Sequence, residues 1–135
     1  MWARYWRRWR AMTREELPAG LMDLTAPLAR LAPPAAVIDK AVYSPWFART
    51  LDLELRRRQA DTLLITGAET DVCVLATVLG AVDRGYRVIL ITDALCSSSD
   101  EAHDASLKVF HTRYSQQIET IDTAAALAAW AEPPH

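Results

Sequence analysis

Apolar and polar positions follow two rhythms along this chain. Near the start, Trp2, Tyr5, Trp6 and Trp9 recur at i, i+3, i+4 and i+7, one face of a helix. The spacing predicts a helix over residues 2–17, with arginines mostly between the aromatics. Thr13 and Glu16 have capping-box spacing, so a new helix could begin there instead. Pro18 and Gly20 interrupt the pattern. Residues 21–31 read as a short helix, broken by Pro33 and Pro34.

From residue 36 the rhythm changes. Residues 36–39 (Ala-Val-Ile-Asp) predict a short strand, 40–45 a loop and 47–59 a helix carrying Leu51, Leu55 and the run Arg56, Arg57, Arg58. Residues 62–66 are a nearly continuous apolar run, the mark of a strand covered on both faces. A helix over 72–84 follows, with Val74, Leu75, Val78, Leu79 and Val82 on its apolar face and Gly85 placed as its C-terminal cap. A second buried strand spans 87–92 and a serine-rich loop 94–100. A helix over 101–110, a strand over 117–121 and a helix over 123–130, with Thr123 as its N-cap, complete the pattern. The tail from Glu132 is expected to fray. Strands alternating with amphipathic helices predict an α/β fold, a mostly parallel, Rossmann-like sheet flanked by helices.

Composition narrows the class without changing it. At 135 residues with 51% hydrophobic and 24% charged positions, the chain suits one globular domain. No apolar run reaches the ~18 residues that span a bilayer. The opening is aromatic and basic and lacks the pattern of a secretory signal. Net charge is −2, but Arg4, Arg7, Arg8, Arg10 and Arg14 all precede the first acidic residue, Glu15, so the remainder is acidic. Neither nucleic acid nor membrane is an expected partner. Cys73 and Cys96 form no C-x-x-C pattern and no disulfide scaffold, so a reducing cytoplasm and free thiols are expected.

Ligands of open parallel sheets bind at the carboxyl ends of strands. Two segments bring polar groups there: residues 66–73 (Thr-Gly-Ala-Glu-Thr-Asp-Val-Cys) and the pair Asp39, Lys40. With Thr70 or Asp71 as cap, Cys73 falls in the first helical turn, where unpaired N–H groups and the helix dipole favour a thiolate. Lys40 would add a positive charge, and the same N–H groups could face an oxyanion. On spacing alone, two readings of Cys73 stand: nucleophile, or buried core cysteine.

The ordered set Val37 to Lys40, Tyr43, Ser44, Phe47, Thr50, Leu51, Leu63 to Val74, Thr77, Gly80 to Val88, Thr92 to Ala94 and Ser97 to Ser99 resembles the isochorismatase-like cysteine hydrolases, over about residues 36–122. The resemblance implies Cys73 as nucleophile and Lys40 as its partner. It also implies a non-proline cis peptide at Ala68–Glu69, which turns the backbone N–H groups of Glu69 and Cys73 into an oxyanion hole. The family mechanism is covalent: an Asp takes the thiol proton, the thiolate attacks a carbonyl-type carbon, and water releases the product. That Asp ends the family's first strand, and nothing before Lys40 resembles its segment. Asp23 lies in a helical stretch, and Asp39, next to Lys40 on a strand, should face the other way. The implied architecture is a single domain over 1–135, with 1–35 a helical lid or interface segment and 36–131 the α/β core. The resemblance implies that the first two strands of the family fold are missing. In the family strand order 3-2-1-4-5-6, that leaves an apolar edge on strand 62–66. Self-association there, as a homo-oligomer, or direct pairing with 36–39 is expected.

The remaining residues have both site and packing readings. Tyr43, Trp46 and Phe47 follow Lys40 and are expected to border a small-molecule pocket, with packing as the alternative for Phe47. The aromatic stripe is expected to pack or meet a subunit, ahead of a lid or a membrane-surface role. Asp71 orients a site group or caps a helix. His103 and His111 are expected at the surface or a subunit contact, and Cys96 as a structural residue near the pocket rim. The resemblance also covers nicotinamidase-like relatives, which hold a metal with Asp and His residues upstream of the Lys; no His precedes Lys40, so it implies no metal here and disfavours a nicotinamidase. No cofactor is implied. The expected activity is hydrolysis of a small amide, ester or vinyl-ether-type substrate. The rivals are a non-catalytic binding or assembly module and a thiol redox sensor using Cys73 and Cys96.

Overall fold

The computed structural model describes residues 1–131. It divides into two compact units, the first over Met1–Val37 and the second beginning at Ile38.

The first unit is built from short pieces. Helix α1 spans Trp2–Arg8, a 3₁₀ turn follows at Arg10–Met12, and α2 covers Ala26–Ala29. The helix predicted over 2–17 stops early because the apolar repeat lapses after Trp9, and short helices without a packed face are marginal in water. The helix predicted over 21–31 shrinks to α2 for the same reason. No residue of this unit is buried. The aromatic stripe packs on itself: Tyr5 meets Trp2 edge-on at 5.5 Å and Trp6 at 5.2 Å between ring centroids.

The predicted strand at 36–39 is not formed. A strand needs a neighbour to take its backbone hydrogen bonds, and among the described residues this segment has none.

The second unit carries the α/β fold. Its elements are α3 (Thr50–Arg57), β1 (Thr62–Ala68), a π-type turn (Thr70–Val74), α4 (Leu75–Asp83), β2 (Arg87–Cys96), α5 (Asp100–Arg113), β3 (Ile118–Ile121) and α6 (Thr123–Ala131). The sheet is parallel, in the order β1-β2-β3. Val88 and Leu90 of β2 join a core with Trp46, Ile65, Val74, Val78, Ala81, Leu95, Phe110 and Ile118. Ile91 is buried outside that cluster, on the opposite face by strand alternation. Both faces of β2 are therefore covered, as its apolar run predicts.

The helix ends follow local chemistry. Gly85 (φ +82°) closes α4 in a Schellman motif: its N–H reaches Val82 O at 2.9 Å and the Tyr86 N–H reaches Ala81 O at 3.1 Å. Ser99 caps α5, accepting the Ala102 N–H at 3.2 Å. The N-cap of α6 is Asp122, one residue before the predicted Thr123. Its carboxylate accepts the Ala125 N–H at 2.7 Å. β2 runs to Cys96, past residue 92 and into the predicted loop over 94–100. Its pairing is irregular there, with Ile65 opposite Leu90 but Gly67 (φ +111°) opposite Leu95. Among the described residues no helix is long and apolar enough to cross a membrane.

Candidate active site

The carboxyl end of β1 runs through Glu69 into the π-type turn that carries Cys73. The Ala68–Glu69 peptide is cis. Glu69 occupies the N-cap position, with no side-chain cap. Its carbonyl accepts the N–H of Val72 at 3.1 Å and of Val74 at 3.0 Å. These bonds bracket Cys73, whose N–H the Glu69 carbonyl passes over. Widened turns of this kind recur at functional sites. The Cys73 carbonyl accepts the Thr77 hydroxyl at 2.7 Å, which ties the turn to α4.

Lys40 arrives from the loop before α3. Its ammonium donates to Cys73 Sγ at 3.4 Å and to Val42 O at 3.1 Å. Residues 33 positions apart in sequence thus meet. Lys40 is exposed and Cys73 half-buried, so the pair is open to solvent. Among the described residues Lys40 makes no salt bridge, and no carboxylate hydrogen-bonds to Cys73. Asp39 is exposed beside Lys40. No group of three or more His, Cys, Asp or Glu side chains converges as a metal site among the described residues.

The aromatics after Lys40 separate. Trp46, expected at the pocket border, is instead a core residue, 7% exposed. Its indole N–H donates to Thr77 O at 2.8 Å, its ring stacks on Tyr86 at 5.9 Å, and the Arg84 guanidinium lies 4.5 Å above it. A flat apolar ring with one polar edge gains most where that edge finds a carbonyl, and α4 provides one. Tyr43 and Phe47 are exposed, Phe47 at 82%, which leaves its packing reading without support.

Thr70 and Asp71 do not cap the turn; Thr70 reaches across to the last residue of β2 and to α5, and Asp71 to the residue after β2. Asp71 accepts a short hydrogen bond from the Ser97 hydroxyl. Thr70 is fully buried, and its hydroxyl donates to Cys96 O at 3.1 Å and lies 2.8 Å from His103 Nδ1. Local patterns present Thr-Asp before a helix as a cap. Only the tertiary fold reveals the distant partners. Cys96 is exposed and Cys73 half-buried, and both are free thiols. His111 bonds Thr120 Oγ1 at 3.1 Å, away from this cluster in sequence and element.

Comparison with known proteins gives a consistent set of likenesses. A model of the isochorismatase domain matches residues 2–124, so the likeness reaches further toward the amino terminus than the motifs alone suggest. The isochorismatase family protein YwoC of Bacillus subtilis is 34% identical over 114 residues, 80% of this chain and 60% of that protein. Maleamate amidohydrolase of Pseudomonas putida is 26% identical over 64% of this chain and 40% of its own length. Among solved structures, nicotinamidase PncA from Bacillus subtilis superposes with a TM-score of 0.62 at 27% identity, covering 71% of this chain and 51% of that one. The chain spans about half the length of these relatives.

Proposed function

The chain belongs to the isochorismatase family, and on that premise we propose that it is a cysteine hydrolase of small amides, with Cys73 as nucleophile and Lys40 as its charge partner. The observation that carries this reading is the 3.4 Å contact from Lys40 Nζ to Cys73 Sγ at the carboxyl end of β1. An ammonium there is the natural counter-charge for a thiolate. The thiolate attacks the amide carbon, and the new oxyanion faces the N–H groups of Glu69 and Cys73. The carbon–nitrogen bond breaks, and the leaving nitrogen takes a proton from Lys40. Water then cleaves the thioester, releases the acid and returns a proton to Lys40. Amide and water give acid and amine, so no oxidant or cofactor is consumed. Amides are the class favoured because two of the relatives are named for amide substrates. Tyr43 and Phe47 are the substrate contacts in this reading. A homo-oligomer and a reducing, cytoplasmic setting, which two free thiols fit, complete it.

One observation favours a second reading: no carboxylate shares the Lys40–Cys73 contact among the described residues. A binding or assembly module without turnover would need none. The test measures ammonia release from maleamate and nicotinamide, with mass spectrometry for an acyl adduct on Cys73. Hydrolysis lost by at least about a hundredfold in Cys73→Ser, and strongly reduced in Lys40→Met, is the expected result. Neither ammonia nor an acyl adduct on Cys73, in protein that still binds the amide, supports the second reading. Turnover that survives Cys73→Ser sinks the nucleophile assignment.

A further inference from the structure

We propose that His103 is a positioning residue for the nucleophile turn, acting through the buried hydroxyl of Thr70; this deepens the reading of Cys73 as nucleophile and rests on it. Three segments meet at that hydroxyl. Thr70 opens the π-type turn, Cys96 ends β2, and His103 lies in the first half of α5. Thr70 has one hydroxyl proton, and it goes to the Cys96 carbonyl at 3.1 Å. The 2.8 Å contact with His103 Nδ1 then requires the imidazole to donate. His103 therefore carries its proton on Nδ1 and fills the acceptor side of a group that is 0% exposed.

The turn needs such a tie. It has no side-chain cap, and the Glu69 carbonyl bonds around Cys73 rather than to it. The orientation of the Glu69 and Cys73 N–H groups therefore depends on contacts from outside the turn. Beside the Thr77 bond to Cys73 O, the Asp71–Ser97 bond and the contacts of Thr70 with Cys96 O and His103 are its struts. His103 is itself fixed, because its backbone N–H donates to Ser99 O at 2.9 Å beside the cap of α5. Removing the imidazole leaves a buried hydroxyl oxygen short of a partner, which is costly where water is excluded. The turn then relaxes, and Cys73 shifts relative to Lys40.

The experiment uses the full chain in a Cys96→Ser background, so that Cys73 is the one thiol; Cys96 enters the cluster through its carbonyl alone. The second-order rate of Cys73 alkylation by iodoacetamide is measured at a temperature where circular dichroism shows every variant folded. His103→Ala is expected to slow alkylation about tenfold, and Thr70→Val to do the same. His103→Asn, whose amide N–H can replace Nδ1–H, is expected to recover most of the rate. His103→Gln, which offers its amide near the Nε2 position, is not. A general loss of packing would not separate Asn from Gln, so this pair carries the test if Ala or Val fails to fold. Folded His103→Ala or His103→Gln reacting at the parent rate overturns the proposal. The nucleophile reading fails separately, if the parent Cys73 reacts no faster than an ordinary peptide thiol and Lys40→Met changes nothing. In that event, amide exchange over residues 69–74 still decides the positioning claim. Faster exchange in His103→Ala with recovery in His103→Asn supports it, and unchanged exchange sinks it.

Discussion

At the scale of single residues, Gly80 shows how tertiary contact reverses a local rule. Glycine in an exposed helix interior costs about 1 kcal/mol relative to alanine, so Gly80→Ala in α4 would ordinarily stabilise. Here a Cβ at Gly80 would fall inside the Trp46 indole. That ring has little freedom to yield. It is stacked on Tyr86, covered by Arg84 and bonded to Thr77 O. Overpacking of this kind costs about 1–3 kcal/mol, more than the helix gain. Gly80→Ala is therefore expected to lower the urea midpoint, and adding Trp46→Leu to recover part of the loss. A midpoint raised by Gly80→Ala would show that the indole is not held as described. The same residue marks a limit of sequence reading. An aromatic a few positions after a site lysine looks like pocket lining, and nothing local tells that its N–H is destined for a carbonyl on α4. Cys73 and Lys40 were legible because each ends a recognisable strand-to-loop or strand-to-helix step, even though the strand before Lys40 does not form. Thr70 and His103 were not, because a threonine before a helix has a sufficient local explanation as a cap.

Elements were legible where periodicity and end signals agreed. The alternation from β1 to α6 and the Gly85 cap all follow from short-range chemistry. Segment 36–39 failed because its strand character depended on a neighbour, and α1 fell short because its apolar face ends at Trp9. The start of α6 is the instructive intermediate case. Thr123 was read as a cap, yet it uses both its N–H and its hydroxyl on Asp93 Oδ1, each at 2.8 Å, tying α6 to the end region of β2. The Thr123 hydroxyl, then its N–H, holds the Asp93 carboxyl below its ordinary value of 3.8. Its folded value lies below the unfolded one, so the contact stabilises at pH above 3.8 and is lost as the pH falls through the lowered value. Asp93→Ala at neutral pH is expected to speed amide exchange in the first turn of α6, while Val88 and Leu90 in β2 stay protected. Acidification of the parent protein should loosen the first turn of α6 as well, together with the Arg87–Glu119 contact between β2 and β3, whose carboxylate is likewise held below its ordinary value. Equal loosening of β2 and α6 in the variant would show that the tie is not local.

At the scale of the whole molecule, the open question set by the sheet is what meets the outer edge of β1. β2 is its strand neighbour on one side, and among the described residues no strand lies on the other. Natural edge strands are blunted by charge, proline or shortness. The segment Thr62–Ala68 carries none of these: it is seven residues long, without a charged residue or proline, and Leu64 stands 40% exposed on it. Pairing with 36–39, one of the two fates expected for this edge, is not formed. The other is association with a second copy. Two chains related by a two-fold axis normal to the sheet would set their β1 strands antiparallel and satisfy both rows of backbone groups in one continuous sheet. Charge at this edge should oppose that contact without touching the Lys40–Cys73 pair. The chain is expected to show concentration-dependent dimerisation by light scattering after size exclusion, and Leu64→Lys to shift it toward monomer while Cys73 keeps its alkylation rate. A parent chain that remains monomeric from micromolar to high micromolar concentration would remove β1 as an interface.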